Sequence, residues 1–246
     1  RRQRQLCIRD IFNPFPVVDG RMKISSGASL PAEGPKCEAL PCVVVDLDGT
    51  LLRGNSLHML VRFMAAKLRR RRGYWRLLRM VGLLGLRRLR LISHTSMKHP
   101  VHRMAAELLT EADMEHFVSV LGAALNRKLL ERLDGYRRRG YRILLASAAP
   151  DLYLPRLTAL AGFDGFIATP LPASAGEAYT ETRGERKRDL CLDYAAREGW
   201  KIEAVATDHP DDLPLLLLPG ISRLLVSPAP DLPEELRRRS LGFEII

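Results

Sequence analysis

Cysteine is scarce in this sequence, with four residues among 246. Cys7, Cys37, Cys42 and Cys191 match no zinc-ligand spacing and include no CxxC pair. We therefore interpret them as ordinary reduced thiols, with a redox role for the Cys37 and Cys42 pair as the alternative. Reduced thiols fit a cytoplasmic setting.

Long hydrophobic runs are also absent, although hydrophobic residues make up 46% of the chain and allow a packed core. The clean apolar runs, Met80 to Leu86 and Leu215 to Leu218, are far shorter than the roughly 20 residues that cross a bilayer. The N-terminus is rich in arginine and lacks the apolar stretch of a secretory signal. We predict a cytoplasmic globular protein. The alternative is a protein that associates peripherally with the inner membrane surface.

Acidic residues are missing from one long stretch, since no Asp or Glu lies between Asp48 and Glu107. The formal net charge is +11, which favours anionic partners: nucleic acid, acidic lipid surfaces or phosphorylated substrates. A general bias toward arginine in the source genome is the alternative for the total charge. The acid-free stretch itself contains many arginines: Arg62, Arg69 to Arg72, Arg76, Arg79, Arg87, Arg88 and Arg90.

A basic amphipathic helix is predicted within this stretch. At 100° per residue, Arg76, Arg79, Arg87 and Arg90 share one face. Apolar residues occupy the opposite side, with Arg88 intruding: Leu77, Leu78, Val81, Leu84, Leu89 and Ile92. Such a helix is typical of a membrane-surface element, and the alternative is a solvated face whose other side is core. Nucleic acid is an unlikely partner, because aromatic residues are few and no nucleic-acid motif occurs.

The most informative segment is Asp46-Leu47-Asp48-Gly49-Thr50, which follows the β-branched run Val43 to Val45. Ligands of open α/β sheets bind outside the carboxyl ends of the strands. Two carboxylates two residues apart at such an end indicate phosphoryl-transfer chemistry, with one attacking phosphorus and the other handling a proton. Gly49 allows the chain to turn sharply away from the strand.

The chain beyond residue 41 alternates between strand and helix patterns, which predicts a doubly wound, mostly parallel α/β sheet covered on both faces. Residues 57–125 break this alternation with helical patterns alone and are predicted to form an inserted all-helical cap. The core is then 41–56 with 126–246, and residues 1–40 are predicted to be a flexible extension or linker. The predicted elements are strands at 43–45, 141–146, 164–168, 204–207 and 222–226, and helices at 127–139 and 186–199.

Further candidate site residues follow later strands. Ser147 comes directly after a predicted strand and can hold a phosphate oxygen, and Lys187 opens a helix and can neutralise a phosphoryl group. Asp208 ends a strand, and Asp212 follows four residues later in a predicted loop. Strand-end carboxylates next to another strand-end Asp provide hard oxygen ligands that suit Mg²⁺. His209 is expected to line the pocket or meet solvent.

In this order, DLDGT, Ser147, Lys187 and the Asp208/Asp212 pair resemble the haloacid dehalogenase superfamily of phosphatases. The cap placement and the SAAP and GERK segments are most similar to its phosphoserine-phosphatase-like branch, which includes bacterial phosphatidylglycerophosphate phosphatases. The resemblance covers about residues 41 to 226. Thr207 and His209 depart from it, since relatives usually have Gly before the metal Asp and Ser after it.

The resemblance implies roles for these residues. Asp46 is the nucleophile that forms an aspartyl-phosphate, and Asp48 protonates the leaving oxygen and then activates water. Ser147 and Lys187 bind phosphoryl oxygens. Mg²⁺ is held by Asp46, Asp208 and the carbonyl of Asp48, with Asp212 close behind. The cap sets specificity, and we name Lys98 and Arg103 as candidate substrate contacts on it.

The predicted function is a Mg²⁺-dependent phosphomonoesterase. A lipid or isoprenoid phosphate is the preferred substrate class because the cap is basic and apolar. Two alternatives remain. One is the hydrolysis of a small soluble monoester such as phosphoserine or a sugar phosphate. The other is a non-catalytic binding or regulatory module of a membrane enzyme.

Overall fold

The computed structural model describes residues 39–172 and 179–246, and for His94 it describes the backbone alone. Most of the predicted extension, residues 1–38, lies outside the described residues, as do Cys7 and Cys37. The first strand already begins at Leu40. Cys42 and Cys191 are buried free thiols.

Six parallel strands form one sheet in the order β3-β2-β1-β4-β5-β6. The chain moves outward on one side of β1 and then returns to add β4 on the other side. This reversal between β1 and β4 opens a crevice at the carboxyl ends of the strands. The strands are β1 Leu40–Val45, β2 Arg142–Pro150, β3 Gly165–Thr169, β4 Trp200–Thr207, β5 Ser222–Leu225 and β6 Glu244–Ile245.

Both faces of the sheet are covered by helices, and the predicted doubly wound fold is confirmed. The helices are α1 Ser56–Arg70, α2 Tyr74–Arg88, α3 His94–Leu108, α4 Glu111–Ala123, α5 Arg127–Arg138, α6 Leu154–Ala161, α7 Gly184–Arg197, α8 Leu213–Leu216 and α9 Asp231–Arg238.

Alternate residues of β1 enter different cores, which explains its continuous apolar run. Val43 and Val45 pack in the larger core with residues of α1, α4, α5 and α6. Cys42 and Val44 pack in the second core with residues of α7, α8 and α9. A strand that is buried on both faces needs apolar residues at every position, so no alternation is visible in its sequence.

The insertion between β1 and β2 contains α1 to α4 and no strand, in a stretch that the structure describes throughout. Its entry and exit lie side by side. The Arg53 amide donates to the Ala124 carbonyl (3.0 Å), and the Asn126 amide donates to the Leu51 carbonyl (2.8 Å). We propose that 57–125 is the cap and that 41–56 with 126–246 is the core.

The predicted basic helix differs from the observed α2 in its end and in its buried side. α2 ends at Arg88, and Arg90 lies in a turn with φ +59°. Met80 is the buried residue of α2, whereas Leu78, Val81 and Leu89 are exposed. The helical period separates the arginines from a group of apolar residues, but the neighbours of the helix decide which residues are buried.

The aromatic contacts of Phe117 connect the insertion to the core. Phe117 of α4 is fully buried, and its ring centroid lies 5.4 Å from that of Phe63 in α1 and 5.3 Å from that of Tyr153, just before α6. Phe117 therefore fills the space where two cap helices meet the α/β core.

We expect Phe117→Ala to lower the free energy of unfolding by about 3 to 5 kcal/mol, since truncating a buried aromatic ring removes its contacts and leaves a cavity. Val120→Ala on the exposed side of the same helix should change it by less than about 0.5 kcal/mol. Urea denaturation of both variants measures the difference. Equal effects of the two substitutions would contradict this role of Phe117.

Candidate active site

The carboxyl ends of β1 and β4 bring the predicted site together. Asp46 directly follows β1, and Asp208 directly follows β4. The Asp46 amide donates to the Ala206 carbonyl at 2.9 Å, which fixes the end of β1 against β4. The two carboxylates therefore lie at the point where the order of the strands reverses.

Lys187 connects two of the predicted acids. It lies in the first turn of α7, and its ammonium is 2.6 Å from Asp46 and 2.8 Å from Asp212. Asp212 also accepts a hydrogen bond from the Thr207 hydroxyl at 2.7 Å. Lys187 and Asp212 are almost fully buried. Asp212 ends a short 3-10 helix, Pro210–Asp212, where a loop was predicted.

Asp48 is held by neutral donors. The Ser56 amide, at the start of α1, donates to Asp48 Oδ1 at 2.5 Å, and the Ser56 hydroxyl donates to Oδ2 at 3.0 Å. The buried Tyr153 hydroxyl donates to Ser56 Oγ at 2.8 Å. The carboxyl group of Asp48 therefore has a fixed orientation, and no cationic side chain of the described residues is bound to it.

Asp208 is positioned by the segment that follows β1. The Thr50 hydroxyl donates to Asp208 Oδ1 at 2.9 Å. Gly49 has φ +83°, and a Cβ at this residue would lie 2.1 Å from Asp208 Oδ2. Gly49 is thus required both for its left-handed backbone and for the close approach of the Asp208 carboxylate.

Burial dominates the acidity of this cluster. It raises the pKa of Asp46 above the ordinary carboxyl range, although the ammonium of Lys187 opposes the rise. Burial likewise raises the pKa of Asp48 and of Asp208, against the hydrogen bonds from Ser56 and Thr50. Burial alone would lower the pKa of Lys187, but its two carboxylate partners outweigh it, so its pKa is raised and it stays charged.

The site has an excess of negative charge. Six carboxylates line one cavity with three cationic side chains. The carboxylates are Asp46, Asp48, Glu181, Asp208, Asp211 and Asp212, and the cations are Lys98, Arg183 and Lys187. Buried carboxylates with too few cations favour the binding of a further cation, and an all-oxygen donor set suits Mg²⁺. The donor chemistry therefore fits a divalent metal.

The arrangement favours two of the four predicted metal-site side chains. Within residues 39–172 and 179–246, no three Asp, Glu, His or Cys side chains group tightly enough to hold an ion together. Mg²⁺ is often held by one or two carboxylates plus substrate phosphate. Asp46 and Asp208, with the Asp48 carbonyl, would provide such a set. Lys187 pairs with Oδ1 of Asp46, whereas it contacts both oxygens of Asp212, and Thr207 donates to Asp212 as well.

Ser147 lies in the same cavity, within β2 and not after it. Its hydroxyl oxygen accepts a hydrogen bond from the Ala149 amide at 3.0 Å. Because the oxygen already accepts this bond, the hydroxyl proton can be donated to an anion in the cavity. This geometry suits the predicted contact between Ser147 and a phosphoryl oxygen.

The cavity has a volume of about 560 Å³, and most of the residues that line it are charged or polar. Lys98 of α3 lines it and pairs with Glu181 at 2.7 Å, and the Thr95 hydroxyl donates to Glu181 at 2.6 Å. These contacts join the cap to the segment before α7. His209 also lines the cavity, with its side chain about half exposed, as expected.

Arg103, the second predicted cap contact, is not brought to the site. It does not line the cavity, and its half-exposed guanidinium faces Glu107 one turn along α3 at 3.5 Å. Lys98 and Arg103 are five residues apart, which is about 140° around a helix, so both cannot point into one cavity.

Several residues of the site were missed by sequence reasoning. Thr50 belongs to the DLDGT segment, so its proximity to the acids could have been inferred. Thr207 was noted as a departure from the family pattern, although its hydroxyl supports Asp212. Ser56, Tyr153 and Glu181 carry no local pattern that connects them to the acids, because their contacts join separate elements.

We expect Gly49→Ala to destabilise the protein more than Gly140→Ala. Both glycines have almost the same φ, +83° and +84°, but only Gly49 is close to another group. The left-handed backbone costs an alanine about 1 to 2 kcal/mol at either position, and Gly49→Ala must in addition displace Asp208. Thermal and urea unfolding compare the variants, and equal losses would contradict the close packing of Gly49 on Asp208.

Comparison with solved structures supports the fold. A protein of unknown function from Bordetella pertussis Tohama I is similar at a TM-score of 0.65 and 17% identity, covering 84% of this chain and 98% of that one. A HAD family hydrolase from Salmonella enterica subsp. enterica serovar Typhi is similar at a TM-score of 0.57 and 14% identity, and the match covers 84% of this chain and 68% of that one. A phosphoserine phosphatase in its apo form is similar at a TM-score of 0.53 and 14% identity, and the match covers 84% of this chain and 93% of that one.

These identities indicate a shared fold. Among curated proteins, none matches this sequence. The model of one family, described as haloacid dehalogenase-like hydrolase, matches residues 43–217. This range includes both DLDGT and the Asp208/Asp212 pair, and it contains all of the site described above. The sequence match and the arrangement of the acids agree, and we conclude that the chain belongs to the haloacid dehalogenase-like hydrolase family.

Proposed function

We propose that the protein is a Mg²⁺-dependent phosphomonoesterase that works through a phosphoaspartate on Asp46. The observation that carries this proposal is the different environment of two neighbouring carboxylates. Asp46 pairs with the ammonium of Lys187, which favours its anionic form and opposes the rise that burial causes in its pKa. Burial also raises the pKa of Asp48, which has the neutral donors of Ser56 as its hydrogen-bond partners and not an ammonium group. A cation beside one carboxyl and neutral donors beside the other suit a nucleophile and a general acid.

In the first step, a carboxylate oxygen of Asp46 attacks phosphorus. The bond between phosphorus and the alcohol oxygen breaks, and that oxygen takes the proton of Asp48. Lys187 and the Ser147 hydroxyl compensate the charge on the phosphoryl oxygens. The product alcohol leaves, and Asp46 carries the phosphoryl group.

In the second step, Asp48 acts as a base. It takes a proton from water while the water oxygen attacks phosphorus, and the bond to the Asp46 oxygen breaks. Inorganic phosphate leaves, and Asp48 is protonated again. Asp46, Asp208 and the Asp48 carbonyl would hold Mg²⁺. The bound ion would reduce the repulsion between the anionic nucleophile and the anionic ester.

The cavity favours a polar group next to the phosphate. Its lining includes Lys98, Glu181 and Arg183, and the apolar side chains described there do not exceed Ala148 in size. A phosphorylated lipid headgroup and a small soluble monoester, such as phosphoserine or a sugar phosphate, both present such a group. We propose the lipid phosphate first because of the basic, apolar surface of the cap, and an isoprenoid phosphate receives less support from this lining.

The proposal includes a cytoplasmic location, which the buried free thiols Cys42 and Cys191 support.

We expect phosphate release that needs Mg²⁺ and falls by at least about a thousandfold in Asp46→Asn, because the amide cannot act as the nucleophile. The measurement is phosphate release from phosphatidylglycerol phosphate, farnesyl phosphate, glycerol 3-phosphate and phosphoserine. EDTA should abolish the release and Mg²⁺ should restore it.

Asp189→Asn on the exposed side of α7 is the matched control and should retain full activity. If folded protein with Mg²⁺ releases no phosphate from any of these esters, the result contradicts the enzymatic proposal and favours the binding module. Retention of activity by Asp46→Asn would contradict the phosphoaspartate.

We expect Lys98→Ala to lower kcat/KM by about 10- to 100-fold, mainly through KM, since it removes a charged donor from the cavity. Arg103→Ala should leave both constants within about twofold, because surface changes away from a site have small effects. Steady-state kinetics with the best substrate of the panel measures both variants. A loss in Arg103→Ala as large as in Lys98→Ala would show that Arg103 does reach the substrate.

A further inference from the structure

Helix α2 presents an apolar surface to solvent. Trp75 is 79% exposed, Leu78 61% and Leu89 70%. These residues belong to a set that we call the outer face of α2: Tyr74, Trp75, Leu78, Val81, Gly82, Gly85, Leu86 and Leu89. Isolated exposed apolar residues are ordinary, but a contiguous group of this size marks a surface that contacts another molecule.

The outer face is continuous around the helix. At 100° per residue, its eight residues fill an arc of about 140° that contains no charged side chain. The described chain packs nothing close above its two glycines, since a Cβ at Gly82 or Gly85 would have no heavy atom within 4 Å.

A different side of α2 serves the protein core. Met80 is buried, and Leu77 and Leu84 pack against the same core cluster. These three residues lie within an arc of about 60° around the helix axis, outside the arc of the outer face. Packing within residues 39–172 and 179–246 therefore explains the apolar residues on the inner side of α2, but it does not explain those on the outer face.

Arginines lie along the borders of the outer face. Arg76 and Arg79 are exposed on one side of it, and Arg88 is exposed on the other. None of the three forms an ion pair within residues 39–172 and 179–246. No acidic residue occurs between Asp48 and Glu107, so the positive charge of this surface is not compensated from its own segment.

This combination matches the surface of an anionic bilayer. An interfacial helix buries an apolar arc at the level of the headgroups and keeps cationic side chains at its borders, next to lipid phosphates. Trp75 and Tyr74 are the aromatic types that favour this interface. No helix among the described residues has the length and hydropathy needed to cross a membrane.

We propose that the outer face of α2 docks onto an anionic lipid bilayer, with Trp75, Leu78 and Leu89 inserted among the headgroups and the bordering arginines on lipid phosphates. The proposal concerns a binding surface outside the catalytic cavity, since no residue of α2 lines that cavity. It does not depend on phosphatase activity.

The test is cosedimentation of the full chain with vesicles of phosphatidylcholine alone or mixed with phosphatidylglycerol. We expect the protein to bind the anionic vesicles, and to bind vesicles of phosphatidylcholine alone at least about tenfold more weakly. Salt at about 1 M should weaken binding to the anionic vesicles by a similar factor, because it screens the attraction of the arginines. Asp46→Asn should bind as well as the native protein, which separates docking from catalysis. Absence of binding to anionic vesicles would overturn the proposal.

Two pairs of variants locate the surface. Trp75→Ser with Leu78→Ser should weaken binding at least about tenfold, as expected for the loss of buried apolar area. Leu160→Ser, which changes an exposed leucine of α6, should not weaken it. The double variant Arg76→Glu with Arg79→Glu should also weaken binding to anionic vesicles. The double variant Arg127→Glu with Arg138→Glu on α5 changes the net charge equally and should leave binding unchanged. Equal effects within either pair would overturn the assignment to α2.

Trp75 also reports its own position. In a Trp200→Phe background, its fluorescence should shift to the blue on anionic vesicles, since Trp75 is the other tryptophan of the chain. Sedimentation equilibrium tests the competing occupant, a second copy of the chain. A dimer that Trp75→Ser with Leu78→Ser converts to monomers would overturn the bilayer proposal in favour of self-association.

Discussion

The site depends on one buried ion cluster, the ammonium of Lys187 between the carboxylates of Asp46 and Asp212. Three elements meet at this nitrogen: the end of β1, the first turn of α7 and the 3-10 helix after β4. A buried charge is tolerated only when it is paired, so each of these elements must be in place for the others to be stable. The parallel sheet brings the acids to one edge, and Lys187 makes their burial possible.

The sequence was sufficient to predict which acids converge, and the reason is geometric. Asp46 and Asp208 each follow an apolar strand, and parallel strands place their carboxyl ends at one edge. What could not be predicted depends on neighbours. Ser56 and Tyr153 are 97 positions apart and meet only after folding, and β6 is two residues long, too short to produce a pattern. These contacts arise from packing and not from local preference.

The same limit applies to the cap. The helical period identified a basic face and an apolar side in α2, but it could not show that the core uses a narrow strip around Met80 and leaves most of the apolar arc in solvent. Arg103 illustrates the point on α3, where both Lys98 and Arg103 were candidate substrate contacts and the turn of the helix separates them. Periodicity divides a helix into faces, and tertiary contacts decide what each face does.

The hydrogen bonds to Asp48 have a consequence for engineering. The residue that orients this carboxyl, Ser56, is the first residue of the inserted helices, and its own support comes from Tyr153 in the core. The insertion is therefore not an interchangeable lid. A chimera that grafts a foreign cap between β1 and β2 to obtain a new specificity would have to keep the first turn of α1 from this chain, with the graft beginning after it. Chimeras joined at Gly54 would replace Ser56 together with the cap and would lose the alignment of Asp48.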